Sequence, residues 1–111
     1  MTEKKQEELK EKVLDPNTLI SYQDGSVVSR MLVYKPQGTI TLFAFDAGEG
    51  LSEHKAPYDA IATITEGEAL ITIAGREFHC TAGQMIIMPA DIPHAVTAVR
   101  RFKMMLTMIH A

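Results

Sequence analysis

Two histidines in this sequence, His54 and His94, each lie in a stretch rich in glycine, proline and charged residues. An imidazole can bind a metal ion, carry a proton or hydrogen-bond a ligand near neutral pH. Tyr58 and Asp59 follow His54 closely, and a phenol can stack on a ligand or hydrogen-bond to it. The sequence therefore predicts a ligand-binding site made of His54, Tyr58, Asp59 and His94.

The composition is that of one small domain of 111 residues, with 46% hydrophobic residues for a core. A net charge of −3 gives no basic surface for nucleic acid. No apolar run approaches the roughly 20 residues of a membrane span, and the first residues lack the apolar core of a secretory signal. The single cysteine, Cys80, excludes an internal disulfide. We expect a cytoplasmic protein with neither nucleic-acid nor membrane partners.

The N-terminal segment is dense in Glu, Lys and Gln, and it carries Leu9 and Val13 at helical spacing. Pro16 cannot continue a helix. The pattern predicts a short helical arm over residues 1–16, followed by a folded domain over residues 17–111. A frayed, solvated tail is the alternative, because short isolated helices are marginally stable.

From residue 17 onward the sequence consists of short alternating runs separated by turn residues such as Asp24-Gly25. The predicted strands cover residues 18–23, 26–34, 39–46, 60–66, 69–74, 76–80, 84–88, 95–99 and 102–109. Residues 48–59 are predicted to be a loop. Regular strands spaced by about eight to twelve residues, without helices between them, favour an all-β sandwich or barrel.

Two motifs resemble those of the cupin superfamily, whose fold is a double-stranded β-helix or jelly-roll barrel. The first motif of that superfamily reads G, five residues, H-x-H, three or four residues, E, six residues, G. Gly48, His54 and Gly67 match this pattern. Ala56 stands at the position of the second histidine, and Ala60 at that of the glutamate.

The second motif reads G, five residues, P-x-G, two residues, H, three residues, N. Gly83, Pro89 and His94 match it. Asp91 stands at the position of the second glycine, and Ala98 at that of the asparagine. The resemblance runs from about residue 38 to residue 110 and implies a small barrel that pairs as a homodimer.

Metal-binding cupins use three histidines and one glutamate, and only His54 and His94 remain at those positions here. Two imidazoles alone would hold a divalent ion such as Fe, Mn, Ni or Zn loosely, because protein metal sites usually have three or four ligands. Asp59 could complete the set from an irregular loop. In a regular strand it would point out of the barrel, since successive side chains face opposite sides.

Three functions follow from the resemblance. The first is a binding module that holds a small polar or carboxylated molecule between His54, His94 and Tyr58. The second is a metal-dependent cupin enzyme, of dioxygenase or isomerase type, and the third is a metal-free enzyme in which a histidine carries the proton. The missing ligand positions favour the binding module. The seven methionines are expected to be packing residues, because a copper site would need thioethers that converge in space.

Overall fold

The alternating runs of the sequence form nine β-strands in a computed structural model that describes residues 8–110. In chain order the strands are β1 (Val27–Lys35), β2 (Gly38–Phe45), β3 (Gly50–His54), β4 (Asp59–Glu66), β5 (Glu68–Ile73), β6 (Arg76–Thr81), β7 (Met85–Met88), β8 (His94–Ala98) and β9 (Phe102–Ile109). Every strand except β3 begins and ends within one residue of its predicted bounds. The all-β prediction is confirmed.

The strands pair in two antiparallel sheets. One sheet has five strands in the order β1-β2-β9-β4-β7, and the other has four in the order β3-β8-β5-β6. Neighbours in a sheet are often distant in sequence, so the chain crosses repeatedly between the two layers, as in a jelly roll. Large apolar side chains fill the space between the sheets. Phe45 and Phe102 are fully buried there and stack with their ring centroids 4.4 Å apart.

Two predictions about individual strands were wrong. β3 was expected to be a loop. In the structure its side chains are exposed except for the partly buried Leu51. Its backbone pairing with β8, rather than an apolar face, makes it a strand. Residues 18–23 were expected to be a strand, but they have no strand geometry.

β1 departs from simple alternation, which would put Val27, Ser29, Met31 and Val33 on one face of the sheet. An irregularity between Met31 and Val33 shifts the register with β2 by one residue. Such a bulge moves the later side chains to the opposite face of the sheet, so Val33 does not share the face of Val27.

The segment before β1 packs on the outside of the five-stranded sheet. Ile20 is buried there against Leu42 and Ala44 of β2, and Lys103 Nζ donates a hydrogen bond to the carbonyl of Asn17 (2.6 Å). Within residues 8–110 the predicted helical arm is not seen beyond residues 8 and 9, and residues 1–7 lie outside the described part of the chain. No helix in the described range is long and apolar enough to cross a membrane.

Candidate functional site

His54 and His94 become neighbours through the pairing of β3 with β8. His54 ends β3 and His94 begins β8, and the antiparallel register places them directly opposite each other. Their ring centroids lie 4.4 Å apart, with the planes at 67°. His94 is 5% exposed, whereas His54 is exposed at the rim. The pair therefore extends from the interior of the barrel, at His94, to its solvent-exposed rim, at His54.

Each ring is held by a hydrogen bond to a backbone carbonyl two residues earlier. His54 Nδ1 lies 2.8 Å from the oxygen of Ser52, and His94 Nδ1 lies 3.2 Å from that of Ile92. A carbonyl oxygen can only accept, so Nδ1 carries the proton in both rings. A neutral ring with its proton on Nδ1 has a lone pair on Nε2. This is the tautomer of a histidine that binds a metal or accepts a hydrogen bond through Nε2.

Burial favours the neutral form of the inner ring. Desolvation lowers the pKa of His94 below its ordinary value, and the adjacent His54 lowers it further, while the hydrogen bond to Ile92 opposes the shift. A lowered pKa means that the charged form is disfavoured in the folded state. At neutral pH His94 therefore presents an uncharged Nε2 acceptor.

The two rings form the polar side of a small cavity between the sheets. Its volume is about 40 Å³, and its other walls are apolar, with Met88, Met104 and Met108 among them. Among residues 8–110, no carboxylate lines it. Typical small-molecule pockets have roughly 300–1,000 Å³, so this cavity encloses an ion, a few waters or the end group of a ligand, but not a whole metabolite.

The other predicted site residues lie at the rim or outside. Asp59 is exposed, and its Oδ1 accepts a hydrogen bond from the backbone N–H of Ala90 (2.9 Å). Asp59 is the first residue of β4, and its side chain does not join the two histidines in the cavity wall. Tyr58 is partly buried and stacks on His110 with ring centroids 4.1 Å apart.

His110 is partly buried against Tyr58. Its backbone N–H donates to the carbonyl of Gln37 (2.8 Å), which fixes the end of the chain beside the β1–β2 turn. The sequence signal that could have revealed it is the alternation of β9, which puts residue 110 on the same face as Met108.

The backbone at the two motifs agrees with the spacing read from the sequence. Asp91, which stands where the second motif has glycine, has a φ of +63°. That left-handed region is one that glycine adopts without cost and that Asp tolerates better than most residues. A family model described as "Cupin domain" matches residues 41–110. The chain belongs to the cupin family.

Two solved structures resemble this chain over most of its length. A conserved protein of unknown function from Streptococcus pyogenes is 39% identical, with a TM-score of 0.87 over 91% of this chain and 89% of that one. A cupin superfamily protein from Desulfitobacterium hafniense is 29% identical, with a TM-score of 0.87 over 92% of this chain and 94% of that one.

One curated relative has a regulatory name. The HTH-type transcriptional regulator PuuR of Escherichia coli (strain K12) is 33% identical over 95 residues, which is 77% of this chain and 51% of PuuR. The chain thus spans about half the length of the curated relatives it matches.

The side chains present do not fit the metal site of metal-binding cupins. Ala56 and Ala60 line the cavity at the positions of the missing histidine and glutamate. Within residues 8–110 there is no group of three His, Cys, Asp or Glu side chains that could hold a metal ion. Protein sites for divalent ions usually provide three or four oxygen or imidazole ligands. Among the described residues, this cavity provides two imidazoles and no carboxylate.

Proposed function

We propose that this cupin is a binding module that holds one small ligand, or the end group of a larger one, in the cavity between His54 and His94. The observation that carries the proposal is the pair of histidines in the wall of a cavity whose other lining residues are apolar, each with its Nδ1 held by a backbone carbonyl. Their Nε2 atoms accept, so the ligand offers a hydroxyl, an amine or a cation. A carboxylate, one of the two ligand classes expected from the sequence, would meet the lone pair of neutral His94 and is disfavoured.

The apolar walls increase the strength of these contacts. A hydrogen bond inside a region of low dielectric constant is stronger than the same bond in water. An unpaired polar group in such a region is costly, so a ligand without a donor gains little by entering. Because His54 is exposed, the rest of a larger ligand can extend past it, with Tyr58 and Asp59 in the rim loop as further contacts.

Two observations favour binding over metal-dependent catalysis of the dioxygenase or isomerase type. The cavity lacks the histidine and the glutamate that would complete a catalytic metal centre. The curated relative is named a transcriptional regulator, and a match that covers half of such a protein supports a ligand-sensing role for this barrel. The homodimer and the cytoplasmic location stay predictions.

Small hydroxyl and amine compounds are expected to bind, whereas their methylated counterparts are not. We would follow the ring Hε1 signals of His54 and His94 by NMR during titration with ethylene glycol and ethanolamine. Ethylene glycol is compared with 1,2-dimethoxyethane, and ethanolamine with O-methylcholine, because exhaustive methylation removes every O–H and N–H donor. The donor compounds should shift both signals, because they alone can pair with Nε2.

The variant His94→Phe should abolish these shifts, since it removes the buried acceptor and fills its space. His79→Phe is the matched control, because His79 is exposed on β6 and lies outside the cavity wall. Equal binding of methylated and unmethylated probes, or no response of either ring to any probe, would contradict the proposal.

A further inference from the structure

We propose that the ligand of this cavity is a soft monovalent metal ion, Cu(I), bound by Nε2 of His54, Nε2 of His94 and at least one thioether among Met88, Met104 and Met108. This inference rests on the proposed function, because it names the ligand of the same cavity.

The strand register brings the thioethers to the position that the family's glutamate would occupy. Ala60 pairs with Met88 of β7 on one side and with Met108 of β9 on the other. Side chains directly opposite each other in an antiparallel pair have Cβ atoms about 4.5–5.5 Å apart. The missing carboxylate is therefore flanked on both sides by methionine side chains that reach the same cavity.

The imidazole and thioether ligands of this cavity favour a soft metal ion. Thioethers are soft ligands that select Cu(I), whereas Mg, Ca and Mn prefer carboxylates and carbonyls. Imidazole suits copper as well. No carboxylate in the wall balances a second positive charge, and an uncompensated charge in an apolar cavity is costly. A singly charged ion with few ligands satisfies all of these conditions.

The dimensions also suit one ion. Imidazole nitrogens bind transition metals at about 2.0–2.1 Å. The ring centroids of His54 and His94 are 4.4 Å apart, so the two side chains are close enough to contact one ion when both Nε2 atoms face it. The backbone carbonyls of Ser52 and Ile92 already hold both Nδ1 atoms. Such contacts fix the ring orientation and tautomer of metal-binding histidines.

Other sulfur atoms of the chain provide controls. Met85 lies on the outer side of β7 and is 60% exposed. Cys80 is buried, but it pairs with Ala69, four residues along β5 from the Ile73 that pairs with His94. That spacing places the thiol about 13 Å along the strand from the cavity.

The experiment is anaerobic titration of the full chain with Cu(I) in competition with a colorimetric Cu(I) chelator. One equivalent should bind. The triple variant Met88→Leu, Met104→Leu and Met108→Leu removes every thioether of the cavity and should weaken binding by roughly tenfold or more, in the range seen when supporting groups of a metal site are removed. Leucine conserves the volume, so the fold should persist. Met85→Leu and Cys80→Ala should bind Cu(I) as the unaltered chain does, and Zn(II) should bind more weakly than Cu(I).

Methyl NMR locates the ion directly. Adding Ag(I), a diamagnetic substitute for Cu(I), should shift the ε-methyl signal of at least one methionine of the cavity and leave that of Met85 unchanged. Shifts confined to exposed methionines, or Zn(II) binding as tight as Cu(I) binding, would overturn the inference. If hydroxyl or amine probes bind but Cu(I) does not, the Cu(I) inference is wrong and the proposed binding module is supported. If neither binds, the Cu(I) inference and the proposed binding module are both wrong.

Discussion

Replacing Ala56 by His together with Ala60 by Glu is expected to give this barrel a tight site for a divalent metal ion. Both alanines line the cavity beside His54 and His94, so the two changes raise the number of ligands from two to four, the number of a closed zinc site. We expect Zn(II) or Mn(II) affinity to increase by on the order of a thousandfold, which corresponds to about 4 kcal/mol.

Metal binding should also reverse the loss of stability that this double variant shows without metal. Ala60 is 2% exposed, and a glutamate there is costly without a compensating charge. The metal-free variant should therefore melt below the unaltered protein. Added metal should raise its melting temperature steeply, because a ligand that binds only the folded state stabilises it.

The matched control is Ala56→His combined with Ile61→Glu. Ile61 is the next residue of β4 after Ala60, so its side chain faces the opposite side of the sheet. This variant adds the same histidine and glutamate but puts no carboxylate in the cavity. Calorimetric titration of both proteins compares the affinities directly. Equal affinities would show that residue 60 does not occupy the ligand position of the glutamate.

The variant Gly67→Ala is expected to cause a large loss of stability, about 2–5 kcal/mol. Gly67 has a φ of +81°, and a Cβ built on it would overlap the carbonyl oxygen of Arg101 and lie 2.7 Å from Cα of Phe102. Both obstacles are backbone atoms, so no side chain can rotate away. Folded domains have total stabilities of only about 5–15 kcal/mol, so chemical denaturation should show the loss clearly.

Gly75→Ala isolates the conformational part of this effect. Gly75 has nearly the same backbone conformation, with a φ of +79°, but no heavy atom lies within 4 Å of a Cβ built there. Its replacement should cost only the left-handed penalty, about 1–2 kcal/mol. If the two variants lose the same stability, the close approach of the β8–β9 turn to Gly67 is not a source of destabilisation.

The fold could be predicted largely because apolar alternation and turn residues mark most of the strands. β4 shows this best, since the buried Ala60, Ala62 and Ile64 alternate with the less buried residues between them. β3 could not be predicted in this way. It is held by backbone hydrogen bonds to β8, and a strand with exposed polar side chains on both faces carries no periodic signal.

The site was predictable only in part, for a related reason. The spacing of the motifs identified His54 and His94, and their positions at the ends of β3 and β8 bring them together. The carbonyl contacts of their Nδ1 atoms depend on local loop geometry that the sequence does not encode in a recognisable pattern. The placement of Met88 and Met108 around Ala60 depends on the cross-strand register of β7 and β9, which a single sequence specifies weakly.

The most direct test of this account is the tautomer of the two histidines, read from long-range ¹H–¹⁵N NMR spectra of the full chain at pH 7. We predict that both rings carry the proton on Nδ1 and leave Nε2 free. Burial lowers the pKa of His94 below the ordinary value of a histidine, so its neutral form, and the stability linked to it, should be lost as the pH falls through that lowered pKa. A proton on Nε2 of either neutral ring would contradict the account, because the cavity would then present a donor where the ligand needs an acceptor.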